Sequence, residues 1–360
     1  MNLFMTGFPG FIASRLVSGL VKDRSYDRVM LLVESKFAET ARRTAAKILG
    51  QTPVDIIEGD ITQDRMGITD EQAWARLLNE PAEWWHLAAL YRLDAEPEPS
   101  QRINVDGTRH VLEAAKQCQQ LDRLNYVSTA YVSGWLKGVV REDDLPEPKL
   151  ENFKNHYEHT KNAAEWLVRD AMKEGLPASI YRFGIVIGDS KTGQTQKFDG
   201  PYFFIKYVDK LRFLPLPAIG AMEARINTVP VDYVIAACVA IRRKADTVGK
   251  CFHIVDPSPI TTGELYRLAA SELGRRPPRF RVSPKWMEHL MRRRFVRRLY
   301  ELPLETLVYA NFDVQYDATN TQAALAGTGV TCPDARECVR TMAKFYQANK
   351  HRRELHLEVH

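Results

Sequence analysis

Asn2-Leu3-Phe4-Met5-Thr6-Gly7-Phe8-Pro9-Gly10-Phe11-Ile12-Ala13 opens the chain and decides its fold. A short apolar run, Asn2 to Met5, leads into Thr6-Gly7-x-x-Gly10. Apolar positions then recur at helical spacing, at Ile12, Leu16, Leu20 and Val21. The order is strand, glycine turn, helix. The glycines permit a tight turn and let a pyrophosphate approach the backbone, at the positive N-terminal end of the helix. Ala13 stands where a third glycine often does, and it is small enough for close helix–strand packing. The plain alternative is an ordinary turn.

The pattern repeats along the first half. Val29 to Val33 is an apolar strand, Phe37 to Leu49 a helix, Val54 to Ile57 a strand, and Glu71 to Asn79 a helix. Strands follow at Trp84 to Ala89, Leu124 to Ser128 and Ala178 to Arg182, with helices at Ile103 to Gln117 and Asn155 to Lys173. Trp84 and Trp85 are expected on opposite faces of their strand. This alternation predicts a parallel, doubly wound α/β sheet whose strands all end on one edge, where ligands bind. After Gly188 the pattern breaks into a polar loop, Asp189 to Gly200, and an apolar helical stretch, Pro201 to Leu214. A helix started by Val229 to Val234 and a strand at Phe252 to Val255 return to the sheet.

Tyr157-Glu158-His159-Thr160-Lys161 lies in one of the predicted helices. A spacing of four sets the phenol and the ammonium on one face, one turn apart. An ammonium beside a phenol favours the phenolate, so the spacing predicts a tyrosine of lowered pKa that can give a proton near neutral pH. A surface tyrosine over a solvated lysine is the plain reading of such a pair. The nucleotide turn upstream tips the balance.

Seven pieces stand in one order: Thr6-Gly7-x-x-Gly10, Gly59-Asp60-Ile61-Thr62, His86-Leu87-Ala88-Ala89, Asn104-Val105-Asp106-Gly107-Thr108, Val127-Ser128-Thr129-Ala130-Tyr131, the Tyr157/Lys161 pair, and Tyr181-Arg182-x-Gly184. By these the chain resembles the extended short-chain dehydrogenases/reductases over nearly its whole length. It departs at Ala13, usually glycine, and Phe183, usually proline. Gly188 to Gly193, Phe198-Asp199-Gly200-Pro201-Tyr202 and Phe153 to Glu158 resemble, more narrowly, the branch of fatty acyl thioester reductases.

The resemblance implies a Rossmann-type sheet over 1–188, rejoined by 226–256. It implies a smaller, mostly helical substrate-binding region over 189–225 and 257–350, with 351–360 a flexible tail. Thr6, Gly7, Pro9, Gly10, Phe11 and Ile12 would hold the cofactor's phosphates, with Asp60 and Ile61 beside the adenine. Leu87, Ala88, Ala89, Val127, Phe183, Gly184 and Ile185 would line the rest of that site. Thr129 would bond the substrate carbonyl, with Ser128 the neighbouring candidate. Tyr157 would give the proton, and Lys161 would hold the nicotinamide ribose. Asn104 either bridges backbone or water or caps its helix. Tyr91, Tyr131, Tyr202 and Phe203 are the substrate candidates, although an aromatic run such as the last two is more often core.

Aligning the second strand with relatives puts Val33 where NAD users carry an acid and Glu34 where NADP users carry arginine. Lys36, Arg42 and Arg43 follow. Three cations against one acid favour NADP(H) over NAD(H). Residues 275–299 hold ten basic residues against Glu288, with apolar positions at helical spacing. They read as a basic amphipathic helix for an anionic membrane surface, or for coenzyme A or an acidic acyl carrier protein. A solvated face over a packed stripe is the plain alternative.

Composition narrows the rest. Hydrophobic content of 45% and charged content of 26% are those of an ordinary globular protein, with a net charge of +5. No apolar run reaches the roughly 18 residues that span a bilayer. Met1 leads straight into the first strand, so no leader is expected. Five scattered cysteines argue against a disulfide framework and for a reducing cytoplasm. Cys332 and Cys338 lack zinc-site spacing, so no metal is expected, and no nucleic-acid motif accompanies the charge. A homodimer through the helices at Ile103 and Asn155 is a family analogy.

The expected reaction is hydride transfer from NAD(P)H to the carbonyl of an apolar substrate, a fatty acyl thioester first, giving aldehyde or alcohol. Its rivals are a lipid or sterol ketone–alcohol oxidoreductase, a nucleotide-sugar epimerase or dehydratase, and a cofactor-binding regulatory protein without turnover.

Overall fold

Asn2–Thr6 (β1) is buried throughout, and its alternation splits the core. Leu3 and Met5 enter one apolar cluster and Phe4 the other, as side chains on successive strand residues must. Trp84 and Trp85 divide the same way. The computed structural model describes residues 1–356 apart from 94, 211–216, 279, 294–307 and 310–311.

Beyond β1 come Phe11–Asp23 (α1), Val29–Val33 (β2), Ala38–Ile48 (α2), Val54–Glu58 (β3), Glu71–Asn79 (α3) and Ala82–His86 (β4). Gly107–Gln117 (α4), Leu121–Thr129 (β5), His156–Lys173 (α5) and Ala178–Phe183 (β6) follow. Tyr202–Lys210 (α6) and Val231–Arg242 (α7) precede the last strand of the main sheet, Cys251–Ile254 (β7). The seven strands are parallel, in the order β7-β6-β5-β4-β1-β2-β3. Helices α1, α2 and α7 pack on the Leu3 face, and α3, α4 and α5 on the Phe4 face. This is the α/β doubly wound sheet the alternation predicts. The strand order reverses between β1 and β4, so a crevice opens at their carboxyl ends.

Asn104 is not a helix N-cap. The helix begins earlier, at Pro97–Ser100, and passes through a π-helical stretch, Gln101–Asp106, before α4. Asn104 is therefore inside it.

A second body of side chains lies beyond the sheet's carboxyl edge. Helices α6, Thr262–Glu272 (α8) and Ala335–Asn349 (α10, after Pro284–Met291, α9) close around Tyr202, Phe203, Tyr266, Met342 and Tyr346. Two short strand pairs join this lobe to the sheet. Val314–Tyr316 pairs with Gly138–Val140, and Thr228–Pro230 with Ile185–Ile187.

The basic segment is not one helix. Pro277 and Pro278 cannot continue a helix from Arg275, and Phe280–Val282 pairs as a strand with Pro217–Ile219. Among its described residues only α9 is helical, capped by Ser283. Several of its cations are spoken for, with Arg281 on Glu223 at 2.7 Å and Arg292 on Glu288 at 3.1 Å. Arg279, Arg294, Phe295, Arg297, Arg298 and Leu299 lie outside the described residues, as does the predicted helical end at 211–214. No described helix is long and apolar enough to cross a membrane.

Candidate active site

The glycine turn is shaped by contact. Gly7 takes φ +89°, and a Cβ there would stand 2.9 Å from Ala88 N and from Leu87 C. Only glycine combines that conformation with that approach. A Cβ on Gly10 would meet Gly7 O at 2.7 Å. The first amides of a helix lack intrahelical acceptors. At α1 no side chain caps them and no acid sits in the first turn. Unpaired donors above a bare turn suit an anion, so the residues present fit a dinucleotide pyrophosphate.

Thr6 underpins this turn and does not face the cavity. Its hydroxyl bonds His86 Nδ1 at 2.7 Å and accepts from the Leu87 and Ala88 amides. Burial holds His86 near pKa 3, with Lys161 adding to the effect, so the ring is neutral. Its Nε2 meets Thr108 Oγ1 at 3.1 Å.

A cavity of about 430 Å³ opens beside the turn. Of the predicted cofactor residues, Gly7, Phe11, Ile12, Leu87, Ala89, Val127, Tyr157, Lys161, Phe183, Gly184 and Ile185 line it. Pro9, Gly10, Ala88, Asp60, Ile61, Thr6 and Lys36 do not. Asp60 lies farther along the sheet edge. Burial opposes its charge, but bonds from Thr62 and Gln63 hold its carboxyl below the ordinary range. Ile61 is core, packed against Gly107.

Thr129, Ser128, Tyr157 and Lys161 converge on the cavity. The phenol of Tyr157 is the reverse of the sequence expectation. Burial pushes its pKa up, and the nearby Thr129 hydroxyl only partly offsets this. Lys161 does not bond it. Its ammonium donates to Tyr126 Oη at 2.9 Å and to Val127 O at 2.8 Å, leaving one of three donors for the cavity. Burial brings Lys161 down to about 7, against the pull of Glu165. The spacing rule places both residues on one helix face, but not which acceptors the longer side chain finds.

Ser128 is committed elsewhere, donating to Glu165 Oε2 at 2.7 Å. Glu165 also binds Arg182 at 2.7 Å in a fully buried pair. Asn104 accepts from Leu90 N at 2.7 Å and donates to Thr160 Oγ1 at 3.0 Å, tying the β4 exit to α5.

Among the substrate candidates, Tyr91 and Tyr131 line the cavity. Tyr91 stands edge-on to Tyr157, with ring centroids 5.1 Å apart. Tyr202 and Phe203 do not line it. Both pack into the core of the helical lobe, and the Tyr202 hydroxyl bonds Gly193 O. Their neighbours Asp199, Gly200, Pro201 and Phe204 take that wall. Tyr309, Phe312 and Tyr316 complete it. No local signal marks those three, which reach the site from about 150 residues beyond Tyr157 along the chain. Near the mouth, Arg225 is bound to Asp313 at 2.9 Å. Among the described residues no cluster of His, Cys, Asp or Glu could hold a metal.

The cations near the end of β2 are already beside carboxylates. Lys36 meets Glu34 at 2.6 Å, Arg42 meets Glu58 at 3.1 Å and Arg43 meets Glu39 at 3.7 Å.

The sequence pattern described as "Male sterility protein" matches residues 5–238. The chain is 28% identical over 365 residues to the non-canonical nonribosomal peptide synthetase FrzA of a Cladobotryum species, covering 90% of this chain and 34% of that one. Across the first curated relatives it spans about a fifth to a third of their length. Two solved structures share the fold. The terminal R domain of the myxalamid PKS-NRPS pathway superposes with a TM-score of 0.81 at 24% identity, over 97% of this chain and 91% of that one. A thiolation-reductase di-domain from an archaeal nonribosomal peptide synthetase gives 0.73 at 19%, over 97% and 76%.

Proposed function

This chain belongs to the male sterility protein family, within the extended short-chain dehydrogenases/reductases, and is an NAD(P)-dependent oxidoreductase; from that premise we propose that it reduces an acyl thioester. The observation that carries the reading is the convergence of Thr129 and Tyr157 on an aromatic-walled cavity beside the glycine turn. Bound at that turn, the cofactor supplies a hydride. The chain's residues then do the following. Gly7 and the first amides of α1 hold the phosphates. The free donor of Lys161 holds a ribose hydroxyl. Thr129 and Tyr157 aim two hydroxyls at the substrate carbonyl and stabilise the oxyanion that hydride addition creates. For a thioester that oxyanion is the alkoxide of a hemithioacetal, and its collapse expels a thiolate, which takes a proton from solvent to become the thiol, and leaves an aldehyde. A second hydride would give the alcohol. Because burial keeps Tyr157 protonated, its role is donor, not base.

Three finer assignments accompany this. The fold of the thiolation-reductase di-domain and the synthetase relatives support a carrier-tethered or coenzyme A acyl substrate. Aromatic walls support an apolar acyl body, a fatty acyl chain being its simplest case. Lys36, Arg42 and Arg43 support NADP(H), since exposed ion pairs of about 0–1 kcal/mol exchange readily for a phosphate. Dinucleotide binding is assigned to 1–188 with 226–256, and acyl binding to 189–225 and 257–350.

The test is to supply purified protein with NADPH and acyl-pantetheine thioesters and follow both NADPH oxidation and thiol release. One thiol per NADPH is expected where the aldehyde is released and one per two NADPH where it is carried on to the alcohol, with Tyr157→Phe lowering turnover about 10²–10⁴-fold. NADPH oxidised without thiol release would replace the thioester with a ketone or aldehyde. Undiminished turnover in Tyr157→Phe would remove the tyrosine from the chemistry.

A further inference from the structure

Asp199 sits in the loop ahead of α6, and it is the only acidic side chain among the described residues lining the cavity. It is close enough to Tyr91 to act electrostatically on that phenol, and Tyr91 stands against Tyr157. The carboxylate and the reacting hydroxyl therefore share one cavity. No ion pair engages it among the described residues. Lys197 and Lys206 lie near enough only to favour its charge from a distance. The reduction itself gives it no task.

Asp199 is partly withdrawn from water, a position in which a carboxylate gains from a partner of opposite charge, and Tyr91, Phe204, Tyr309, Phe312 and Tyr316 line the same cavity. Rings present negative faces to a cation, and a carboxylate adds a full opposing charge. Together they complement an ammonium group. The cations on the same lining do not fill the role. Arg225 is held by Asp313 and Gln315 near the mouth, Lys161 is turned to Tyr126 and Val127, and Lys197 is exposed.

We propose that the acyl group reduced here carries a cationic amine, held by the Asp199 carboxylate against the aromatic wall. This rests on the thioester reading and narrows its substrate. Burial raises Asp199 to about 6, opposed by Lys197 and Lys206, so the group is charged at neutral pH.

The test separates charge recognition from chemistry. Unreactive amide analogues of acyl-pantetheines are titrated into the NADP⁺-loaded protein as matched pairs: glycyl against propanoyl, β-alanyl against butanoyl, ε-aminocaproyl against heptanoyl. At one of these lengths the ammonium member should bind about tenfold tighter than its neutral partner. Asp199→Asn should bring that ratio near one. Neutral members binding as well or better at every length would overturn the proposal, and so would a ratio that survives in Asp199→Asn. Failure of the thioester reading shows differently, as no NADPH oxidation with any of the matching thioesters, while the binding ratio still reports on Asp199.

Discussion

The two walls of the cavity are built differently. The cofactor wall comes from the ends of adjacent parallel strands: the turn after β1, the exit of β4 and the ends of β5 and β6. Backbone and small residues dominate it, and its one tight turn is dictated by a glycine whose Cβ would strike Leu87 and Ala88. The acyl wall is assembled from segments around Tyr91, Asp199 and Tyr309 that share no sheet and no helix. It is held by side chains. One wall is thus a property of the fold, and the other of a few long-range contacts. Substitutions should separate them, with backbone changes striking cofactor affinity and side-chain changes striking acyl affinity.

The largest separation is expected from Gly7→Val. A β-branched residue at φ +89° carries backbone strain on the order of 1–3 kcal/mol, before any clash with the β4 exit. Dinucleotide affinity should fall by about 10–100-fold, measured by titrating NADPH fluorescence, with a lowered Tm. A variant that binds dinucleotide normally would show that the turn is not the cradle.

The same contrast explains what could be read from sequence. Gly7, Gly10 and Ala13 report on local geometry at fixed spacing, and the strand–helix alternation follows from apolar periodicity, so the sheet and the cofactor wall were legible. Tyr157 and Lys161 could be placed on one helix face, but the pKa argument failed because burial dominates at Tyr157 and Lys161 turns two of its three donors to Tyr126 and Val127. Tyr202 and Phe203 misled because an aromatic run looks the same whether it faces a cavity or a helical core. Phe204, one residue on, is the one that turns to the cavity. Asp199 lay in a quoted motif with no role attached. Nothing in the local pattern could bring Tyr309 to Tyr157.

A second, intermediate effect sharpens the cofactor side. Burial lowers Lys161 to about 7, with Glu165 opposing. Without dinucleotide the ammonium is then charged below pH 7 and neutral above it. If the charged form holds the ribose, binding above pH 7 must take up a proton, and affinity should weaken with rising pH, by at most about tenfold per unit. Folding stability should move oppositely. Between pH 7 and the ordinary lysine value the unfolded chain binds a proton that the folded chain does not, so stability rises with pH over that range. Lys161→Met should flatten both slopes. An affinity independent of pH from 7 to 9 in the unsubstituted protein would detach Lys161 from the dinucleotide.

The smallest effect belongs to the acyl side. The Tyr309 hydroxyl donates to Glu158 Oε1 at 2.6 Å and accepts from Asn155 Nδ2 at 2.8 Å. Its ring packs edge-on to Tyr131 at 5.4 Å. Glu158 is buried beside Lys154, whose ammonium lies 3.7 Å from the Phe312 ring centroid. One hydroxyl thus pins the distant segment to the helix that carries Tyr157. Tyr309→Phe keeps the ring and removes the pin, at about 1–3 kcal/mol for the buried carboxylate left short of a donor. The loosened wall should raise KM for the acyl substrate by about threefold to tenfold, since tenfold corresponds to about 1.4 kcal/mol, with kcat less affected. Dinucleotide affinity should not move, because none of these contacts touches the glycine turn. An equal loss in both affinities would mean that the two walls are one unit.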